Sequence, residues 1–445
     1  MTPFAAGGEG TGRSPGASHD TPGLGWIAHM IIRANALHLP LRDATVDLII
    51  TSPPYFALRS YRDGGEHYGG QVGSEETPAA FVDALLAATA EMVRVLKPTG
   101  SIFVNLGDKY AGSGGNNQSG LGDPRLMKGT IEATQAAVAT GVRNGPRRYN
   151  QNSGGIPAKS LMGLPWRYAI GCIDQLGLIL RAEVIWSKPN GLPESVTDRV
   201  RRSHEQWFHM VKSPRYFSAV DEVREAHIYP NDVRGESWRR LNVAATDHRS
   251  HSDPNPLGKL PGSVWTIATE PLIVPDAVKE HYGLPDHFAA FPQEWPRRII
   301  LGWSPSGVCV ACGEGRRPVI EYGEDYAKLR GPGTDWNRDR RTNGATYDGN
   351  GDRRSTEGRP TADRQITGYA CACPEPTADT TPAVVLDPFG GTGTVALVAR
   401  ALGRTGLTFD LSSDYCRLAR WRIHHSGHGA KTEQRTWADQ QMAMF

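Results

Sequence analysis

The sequence predicts an α/β protein with a doubly wound, mostly parallel sheet. Short apolar runs bounded by proline and glycine alternate along the chain with segments of helical periodicity. Residues 77–97 show the pattern clearly, because apolar side chains recur at helical spacing until Lys97-Pro98-Thr99-Gly100 ends the helix and an apolar strand at 101–106 follows. A helix between two such strands is a crossover connection, and crossovers produce parallel sheets.

The other elements follow in chain order. The predicted strands are short apolar runs at 46–51, 101–106, 180–186, 383–386 and 405–409, with strand-like pieces at 207–211 and 216–220. The predicted helices carry apolar side chains on one face and lie at 77–97, 161–176, 394–402 and 414–424. The order from residue 383 onward makes the C-terminal end one more βαβα unit.

The composition of the 445 residues is that of a globular chain. Lys and Arg number 49 against 47 Asp and Glu, a formal net charge of +2, and 39% of residues are hydrophobic, which excludes a membrane protein and a polyelectrolyte. The 51 Gly and 32 Pro predict long loops. No run approaches the roughly eighteen apolar residues of a spanning helix, and residues 1–25 lack the apolar core of a secretion signal, so we expect a cytoplasmic protein.

A glycine-rich turn joins the strand at 383–386 to its helix. The segment Asp387-Pro388-Phe389-Gly390-Gly391-Thr392-Gly393 allows a ligand to approach the backbone, and amide groups at the helix N-terminus can donate to it. The next strand ends in Asp410, twenty-three residues beyond Asp387, where a carboxylate can accept hydrogen bonds from both hydroxyls of a ribose. This arrangement predicts a nucleoside site; a purely structural turn is the alternative.

A second motif, Ser52-Pro53-Pro54-Tyr55, lies at the tip of the strand at 46–51. The prolines fix the backbone and hold the Ser52 hydroxyl and the Pro53 carbonyl outward as acceptors, with the ring of Tyr55 beside them. Two rigid acceptors and a stacking surface suit a planar group that carries an NH2. On its own, the motif also fits a strand that simply ends in prolines.

Together the two motifs make the chain similar to the DNA amino-methyltransferases that use S-adenosylmethionine. Ser52-Pro53-Pro54-Tyr55 resembles the catalytic motif of that family and residues 387–394 resemble its cofactor loop, in the circularly permuted order of the beta group. Further matches within about residues 30–425 are Leu96-Lys97-Pro98, Asn105-Leu106-Gly107-Asp108, Leu164-Pro165-Trp166-Arg167, Trp186-Ser187-Lys188-Pro189-Asn190, Ser203-His204-Glu205 and His287-Phe288-Ala289-Ala290-Phe291-Pro292. Ala34-Asn35-Ala36 departs from the Gly-Asp-Ala that the family often has upstream.

The resemblance implies direct methylation of an exocyclic amine on a base flipped out of the duplex. The implied catalytic residues are Ser52, Pro53, Pro54 and Tyr55, the first two as acceptors for the amine hydrogens and Tyr55 as the surface that stacks on the base. The implied cofactor-binding residues are Asp387, Pro388, Phe389, Gly391, Thr392, Gly393, Asp410, Phe288 and Phe291. Asp410 holds the ribose in this scheme. His204 and Glu205 are interpreted as positioning or packing residues in a loop, not as acid-base catalysts.

Cytosine N4 is the first choice of target, because Ser before Pro-Pro-Tyr is commoner in that branch of the family, and adenine N6 is the alternative. An RNA or protein-glutamine methyltransferase is disfavoured by the permuted order and the large insertions. A catalytically silent DNA-binding relative would be expected to have lost Ser52, Tyr55 or the cofactor glycines, all of which are present.

Four of the six cysteines form two pairs, Cys309 with Cys312 and Cys371 with Cys373. Four thiolates in paired spacing suit tetrahedral structural Zn²⁺, and reduced free thiols are the alternative. Cys172 lies in an apolar helical pattern and is expected in the core.

Residues 133–173 carry a local charge of +5, because they contain basic but no acidic side chains. The candidate DNA contacts there are Arg143, Arg147, Arg148 and Lys159; a solvated loop is the alternative interpretation. Double-stranded DNA is the expected partner, and a restriction endonuclease and a second copy of the chain are the other partners considered.

The expected organisation has six parts. They are a disordered tail at 1–25, the catalytic half of the methyltransferase domain at 26–190 with a basic loop at 109–160, a target-recognition region at 191–284, the cofactor-binding half at 285–308 and 376–428, a cysteine-paired insertion at 309–375, and a tail at 429–445.

Overall fold

The computed structural model of the chain describes residues 29–57, 62–63, 66–67, 71–112, 154–191, 194, 196–226, 257–272, 274–276, 279–280, 290–322, 364–373, 375 and 377–424. The predicted tails at 1–25 and 429–445 lie outside these residues. So does most of the basic loop at 109–160.

Fourteen strands and five α-helices are formed by the described residues. The strands are β1 (His29–Arg33), β2 (Val46–Thr51), β3 (Arg62–Asp63), β4 (Glu66–His67), β5 (Leu96–Leu106), β6 (Ile179–Ser187), β7 (His204–Val211), β8 (Val264–Thr266), β9 (Val308–Cys309), β10 (Arg317–Tyr322), β11 (Arg364–Ala370), β12 (Thr380–Thr381), β13 (Val384–Asp387) and β14 (Thr405–Asp410). The helices are α1 (Pro78–Val95), α2 (Leu164–Asp174), α3 (Glu294–Trp303), α4 (Thr394–Ala401) and α5 (Ser413–His424).

The central sheet of the described residues has eight strands in the order β1-β14-β13-β2-β5-β7-β6-β8. In this order, the four neighbouring pairs β1–β14, β14–β13, β13–β2 and β2–β5 are parallel. β7 runs antiparallel to both β5 and β6, and β8 is parallel to β6. The predicted α/β class with a mostly parallel sheet is therefore confirmed.

Helices cover both faces of this sheet, as a doubly wound fold requires. Ile49 of β2 packs in a core cluster with Phe81 of α1 and Tyr168 of α2. Leu48, its neighbour on the same strand, belongs to a second cluster that contains Trp295 of α3. Successive residues of a strand point to opposite faces, so β2 is buried along its whole length between the two helical layers.

Helix α1 begins where the sequence predicts it but ends earlier than predicted. The Thr77 hydroxyl accepts a hydrogen bond from the Ala80 amide at 3.2 Å, and Pro78 occupies the first turn, where a missing amide proton costs little. The helix ends at Val95, two residues before the predicted end at 97, because Leu96 already pairs with Val46 as the start of β5. The proline stop therefore lies inside the strand.

The strand predicted at 216–220 is wrong. Phe217 and Ala219 are buried on either side of a half-buried Ser218, which imitates a strand pattern. Their amides donate to the carbonyls of Thr99 and Gly302, which belong to different elements, so no ladder forms. A 3₁₀ turn, Val220–Val223, follows.

The segment predicted for target recognition contributes two strands to the central sheet. β7 lies between β5 and β6, and β8 forms one edge. His204 and Glu205, which were expected in a loop, are the first residues of β7. The DNA-recognition role of 191–284 stays a prediction.

Among the described residues, none of the helices combines the length and apolar character needed to cross a membrane.

Candidate active site

Strand ends bring the two predicted motifs together at one edge of the sheet. β2, β13 and β14 are parallel, so Thr51, Asp387 and Asp410 at their carboxyl ends lie at the same edge. The Thr51 hydroxyl donates to Asp387 Oδ1 at 2.7 Å, and both side chains are buried. The Ser-Pro-Pro-Tyr motif thus starts one residue from a direct contact with the glycine-rich turn.

The Ser-Pro-Pro-Tyr motif continues from β2 and contacts β5. Pro53 is buried, and its neighbours are half-buried: Ser52, Pro54 and Tyr55. Ser52 Oγ donates to Asn105 Oδ1 at 3.2 Å, and the Tyr55 hydroxyl lies 2.8 Å from the same oxygen. Asn105 Nδ2 donates to the Gln206 carbonyl at 3.1 Å, which fixes the orientation of the amide. Asn105 is therefore presented to the motif as an acceptor.

Tyr55 is also held from β7. Its hydroxyl donates to Glu205 Oε2 at 2.8 Å, and the other oxygen of that carboxylate accepts from Lys188 Nζ. The ring of Tyr55 packs directly on Gly107, where an added Cβ would lie 2.8 Å from Tyr55 Cε2. Glycine at 107 is thus required by the position of the ring.

Asp108 organises the backbone next to this ring. Its two carboxylate oxygens accept from the amides of Gly163 and Leu164 at 3.0 and 3.1 Å, and so cap helix α2, which has no side-chain cap of its own. Arg202 donates to the Asp108 carbonyl. The loop before β7 is therefore fastened to the end of β5.

The glycine-rich turn is shaped by two carboxylates. Asp387 Oδ1 accepts the Phe389 amide at 3.1 Å, and Asp410 Oδ2 accepts the Gly391 amide at 2.9 Å. The first carboxylate is 1% exposed and the second is half-buried. Asp410 thus lies against the turn at the tip of β14, and its role in binding a ribose stays a prediction.

Gly391 and Gly393 of the turn have different reasons to be glycine. Gly393 has φ +74°, and a Cβ there would lie 2.8 Å from Ala419 Cβ on α5. Gly391 has φ +48°, and among the described residues a Cβ there would meet only the Phe389 carbonyl oxygen, at 4.0 Å. Packing against α5 therefore explains Gly393 without a ligand, whereas no described side chain fills the space beside Gly391.

Burial raises the pKa of Asp387 to about 7, and the nearby Asp410 carboxylate adds to the shift. Hydrogen bonds from Thr51 and from the Phe389 amide oppose it by stabilising the ionised form. Asp387 therefore changes its charge closer to neutral pH than an ordinary aspartate does.

Arg422 of α5 is hydrogen-bonded to the glycine-rich turn. Its guanidinium donates to the Thr392 carbonyl at 2.9 Å, to the Thr392 hydroxyl at 2.8 Å and to the Thr394 hydroxyl at 3.0 Å. Burial lowers its pKa to about 10, so it stays charged at neutral pH. These bonds hold the start of α4 in place.

Of the other predicted cofactor residues, Pro388, Phe389 and Thr392 lie in the glycine-rich turn, and Phe291 lies shortly before α3. Pro388 and Thr392 are buried, and Phe389 and Phe291 are half-buried. Phe291 meets Trp207 edge-to-face with ring centroids 5.6 Å apart, so it packs on the second core cluster. Phe288 lies outside the described residues.

The four paired cysteines come together as predicted. Their sulfur atoms all lie within 4.8 Å of one another. Cys309 is in β9, which pairs with β12, whereas Cys371 and Cys373 directly follow β11. Hydrogen bonds from the backbone amides of Cys312 and Ala311 lower the pKa of the Cys309 thiol, which favours the thiolate. Cys172 is buried, as expected.

Of the four predicted DNA contacts, one is described. Lys159 has φ +69° and an exposed ammonium group that pairs with Asp198 at 2.9 Å. Arg143, Arg147 and Arg148 lie outside the described residues. Their role stays a prediction.

The family resemblance includes Asn105 and Lys188 but assigns no role to either residue. For Asn105 the sequence contains a usable signal, because a polar residue stands near the end of an apolar strand. Asn105 is 1% exposed, and a buried amide needs hydrogen-bond partners. No local signal could link Lys188 or Glu205 to Tyr55, because β6 and β7 reach the site only through sheet pairing.

A rigid Ser-Pro-Pro-Tyr tip beside a glycine-rich turn, on a mostly parallel sheet, defines the class of amino-methyltransferases. Residues 46–311 and 380–420 match the sequence model of the DNA methylases, and the chain belongs to that family. The gap in the match, 312–379, covers most of the predicted cysteine-paired insertion. The Ser-Pro-Pro-Tyr motif and the glycine-rich turn lie in the two matched segments.

Two relatives and one solved structure show how far the similarity extends. Type II methyltransferase M.SmaI of Serratia marcescens is 30% identical over 297 residues, which cover 64% of this chain and 82% of the relative. Type II methyltransferase M.XycI of Xanthomonas campestris pv. cyanopsidis is 34% identical over 260 residues, which cover 58% and 67%. The cytosine-N4-specific PvuII DNA methyltransferase aligns in structure with a TM-score of 0.47 at 16% identity, over 89% of this chain and 86% of that one.

Proposed function

We propose that the chain transfers a methyl group from S-adenosylmethionine to N4 of a cytosine flipped out of double-stranded DNA. The observation that supports this proposal is the contact between Thr51 and Asp387, which joins the start of the Ser-Pro-Pro-Tyr motif to the strand that leads into the glycine-rich turn. Ser before Pro-Pro-Tyr supports cytosine, and adenine N6 is the second candidate because the rest of the motif serves either base.

The residues of the turn fit S-adenosylmethionine. Gly391 leaves room at the backbone that a side chain would fill, and Asp410 lies at the tip of the next strand, where the ribose of a nucleoside binds in doubly wound sheets. Asp410 and Gly391 would hold the nucleoside part, with Phe389 beside it. When bound, the cofactor supplies an electrophilic methyl group on a sulfonium sulfur.

The chain's own residues prepare the amine for attack. An exocyclic amine is a poor nucleophile because its lone pair is delocalised into the ring. The Ser52 hydroxyl and the Pro53 carbonyl would accept its two hydrogens, favour a pyramidal nitrogen and aim the lone pair. Tyr55 would stack on the flipped base, since the target cannot be reached inside the duplex.

The cysteine cluster supports a second proposal, a structural zinc ion held by Cys309, Cys312, Cys371 and Cys373. Sulfur atoms within 4.8 Å of one another can be drawn onto one tetrahedral Zn²⁺, whose bonds to sulfur are about 2.3 Å. Four protein ligands leave no open position, so the ion would have no catalytic task.

DNA contact is proposed for the basic segment that contains Arg143, Arg147, Arg148 and Lys159 and for the region 191–284. Arginine and lysine side chains would neutralise backbone phosphates, and the larger region would read the sequence. The designation of the relatives as Type II methyltransferases supports a role in restriction-modification, where a restriction endonuclease is the functional partner.

Nucleoside mass spectrometry of plasmid DNA tests the proposal. Plasmid from a host without its own DNA methylation is incubated with the purified chain and S-adenosylmethionine, hydrolysed and analysed, with Ser52→Ala as the matched control. N4-methylcytosine is expected. N6-methyladenine would replace the first candidate with the second, and unmodified DNA would overturn both.

A further inference from the structure

Glu205 reaches the Ser-Pro-Pro-Tyr motif from β7, 150 residues further along the chain. We propose that Glu205 is a positioning residue for the methyl transfer. Its carboxylate accepts the hydrogen bond of the Tyr55 hydroxyl, so the Asn105 amide oxygen is left to accept the Ser52 proton. Ser52 then faces the substrate as a hydrogen-bond acceptor. The inference rests on the proposed function, because it explains how the proposed catalytic side chains are oriented.

Two hydroxyl protons are available at the motif. Ser52 and Tyr55 each have one hydroxyl proton, and the neighbouring oxygens are Asn105 Oδ1 and Glu205 Oε2. A carboxylate is the stronger acceptor for the phenol proton, since hydrogen bonds to ionised groups are about twice as strong as neutral ones. The Ser52 proton then goes to Asn105 Oδ1.

This distribution of protons determines what Ser52 can offer a substrate. A hydroxyl whose proton points into the protein presents its lone pairs outward, and a target amine needs an acceptor there. If Tyr55 instead donated to Asn105, a carboxylate oxygen would face the phenol oxygen at 2.8 Å without a proton between them. By accepting the phenol proton, Glu205 leaves both lone pairs of Asn105 Oδ1 open to the Ser52 proton, and this favours the arrangement in which Ser52 is an acceptor.

Lys188 completes the arrangement from β6. Its ammonium group contacts Glu205 Oε1 and lies 4.0 Å above the ring of Trp186, and the side chains of the ion pair are 18% and 16% exposed. Low exposure and the contact with Trp186 hold the ion pair between Lys188 and Glu205 in one geometry. Gly107 packs against the Tyr55 ring, so the proposed stacking surface is held in place before a base arrives.

A double-mutant cycle tests the coupling between Glu205 and Tyr55. Tyr55→Phe keeps the ring and removes the hydroxyl, whereas Glu205→Gln keeps the shape and removes the charge. Each variant is expected to lower kcat about tenfold, the loss typical of one charge-assisted hydrogen bond, with KM for DNA within twofold of the parent. Because Glu205 acts through the Tyr55 hydroxyl, the double variant should be no more than twofold slower than Tyr55→Phe.

The matched control is Asp47→Asn. Asp47 forms a part-buried ion pair with Lys97 at 2.7 Å on β2 and β5, away from the motif, so its loss should lower the melting temperature and leave kcat unchanged. Additive losses in the double variant, or a Glu205→Gln enzyme with parental kcat, would overturn the proposal. If Glu205→Gln does not fold, Glu205→Gln with Lys188→Gln leaves no unpaired charge, and the same comparison with Tyr55→Phe decides. A parent enzyme without any methylation would instead refute the proposed function.

Discussion

Ser52 can accept a hydrogen bond from a substrate only if its own proton has another destination. Asn105 Oδ1, 3.2 Å away, provides that destination, and the Gln206 carbonyl keeps the amide in the necessary orientation. At the scale of the residue, the ability of Ser52 to act as an acceptor therefore depends on Asn105, which lies on β5, outside the motif.

Ser52→Ala should fail in catalysis and not in binding. The substitution removes one acceptor for the target amine but leaves Tyr55 and the Pro53 carbonyl in place. An oriented transition-state hydrogen bond is worth about 3 kcal/mol, so turnover should fall roughly a hundredfold. Steady-state kinetics and calorimetry check this, and parental turnover would show that the motif is only a proline stop.

Tyr55→Ala should fail differently, because it removes the surface on which the flipped base stacks. Stacking of one base on an aromatic ring is worth about 1 to 3 kcal/mol, so capture of the flipped base should weaken together with turnover. A fluorescent base analogue at the target position reports the flipped state directly. Undiminished fluorescence would exclude the stacking role.

Gly391 and Gly393 should respond differently to the same change. Gly393→Leu forces a side chain against Ala419, and overpacking with a left-handed φ should cost about 3 kcal/mol of stability. Gly391→Leu carries the strain of its own left-handed φ of +48° but meets no described side chain, so it should cost less stability than Gly393→Leu, leave the protein folded and abolish S-adenosylmethionine binding. Thermal unfolding and calorimetry separate the two, and unchanged affinity in Gly391→Leu would contradict the cofactor assignment.

At the scale of the element, the cysteine-paired insertion is held by two small antiparallel sheets. β9 pairs with β12, and β10 pairs with β11, so the first and second cysteine pairs approach from different strands. Such short sheets bury little apolar surface and gain stability from a cross-link.

Cys309→Ser tests the zinc proposal. Metal analysis of the parent should find about one zinc per chain, because four thiolates complete a structural site. The variant should lose the ion and unfold at lower temperature, since metal binding free energy adds to folding. A metal-free parent of equal stability would refute the proposal.

Three elements of the central sheet and its helical layers were missing from the sequence prediction for a common reason. β1, β8 and α3 lack a strong local signal: the strands have five and three residues, and α3 contains Pro296 and adjacent arginines. Their stability comes from neighbours, such as the parallel pairing of β1 with β14.

At the scale of the whole molecule, the sheet joins residues that are far apart in sequence. Thr51 and Asp387 are 336 positions apart and share a buried hydrogen bond. The fold therefore has to be complete before the catalytic motif and the glycine-rich turn form one site.

The buried Asp387 should make the stability of the whole fold depend on pH. Its folded pKa of about 7 is raised above the ordinary value of 3.8, so the folded protein binds the extra proton between these values. The protonated side chain's contribution is fully present below the unfolded pKa and is lost as pH rises through 7. Relative to Asp387→Asn, the parent's melting temperature should fall from pH 4 to pH 8; a constant difference would contradict the raised pKa.

The sequence by itself determined the α/β class, the five main strands, and the two motifs with their family, because these depend on local periodicity and turn chemistry. Tertiary structure alone decided that β7 lies between β5 and β6, that Glu205 holds Tyr55, and that Gly393 faces α5. The physical reason is that strand pairing and side-chain packing are set by distant neighbours, whose identity no local pattern contains.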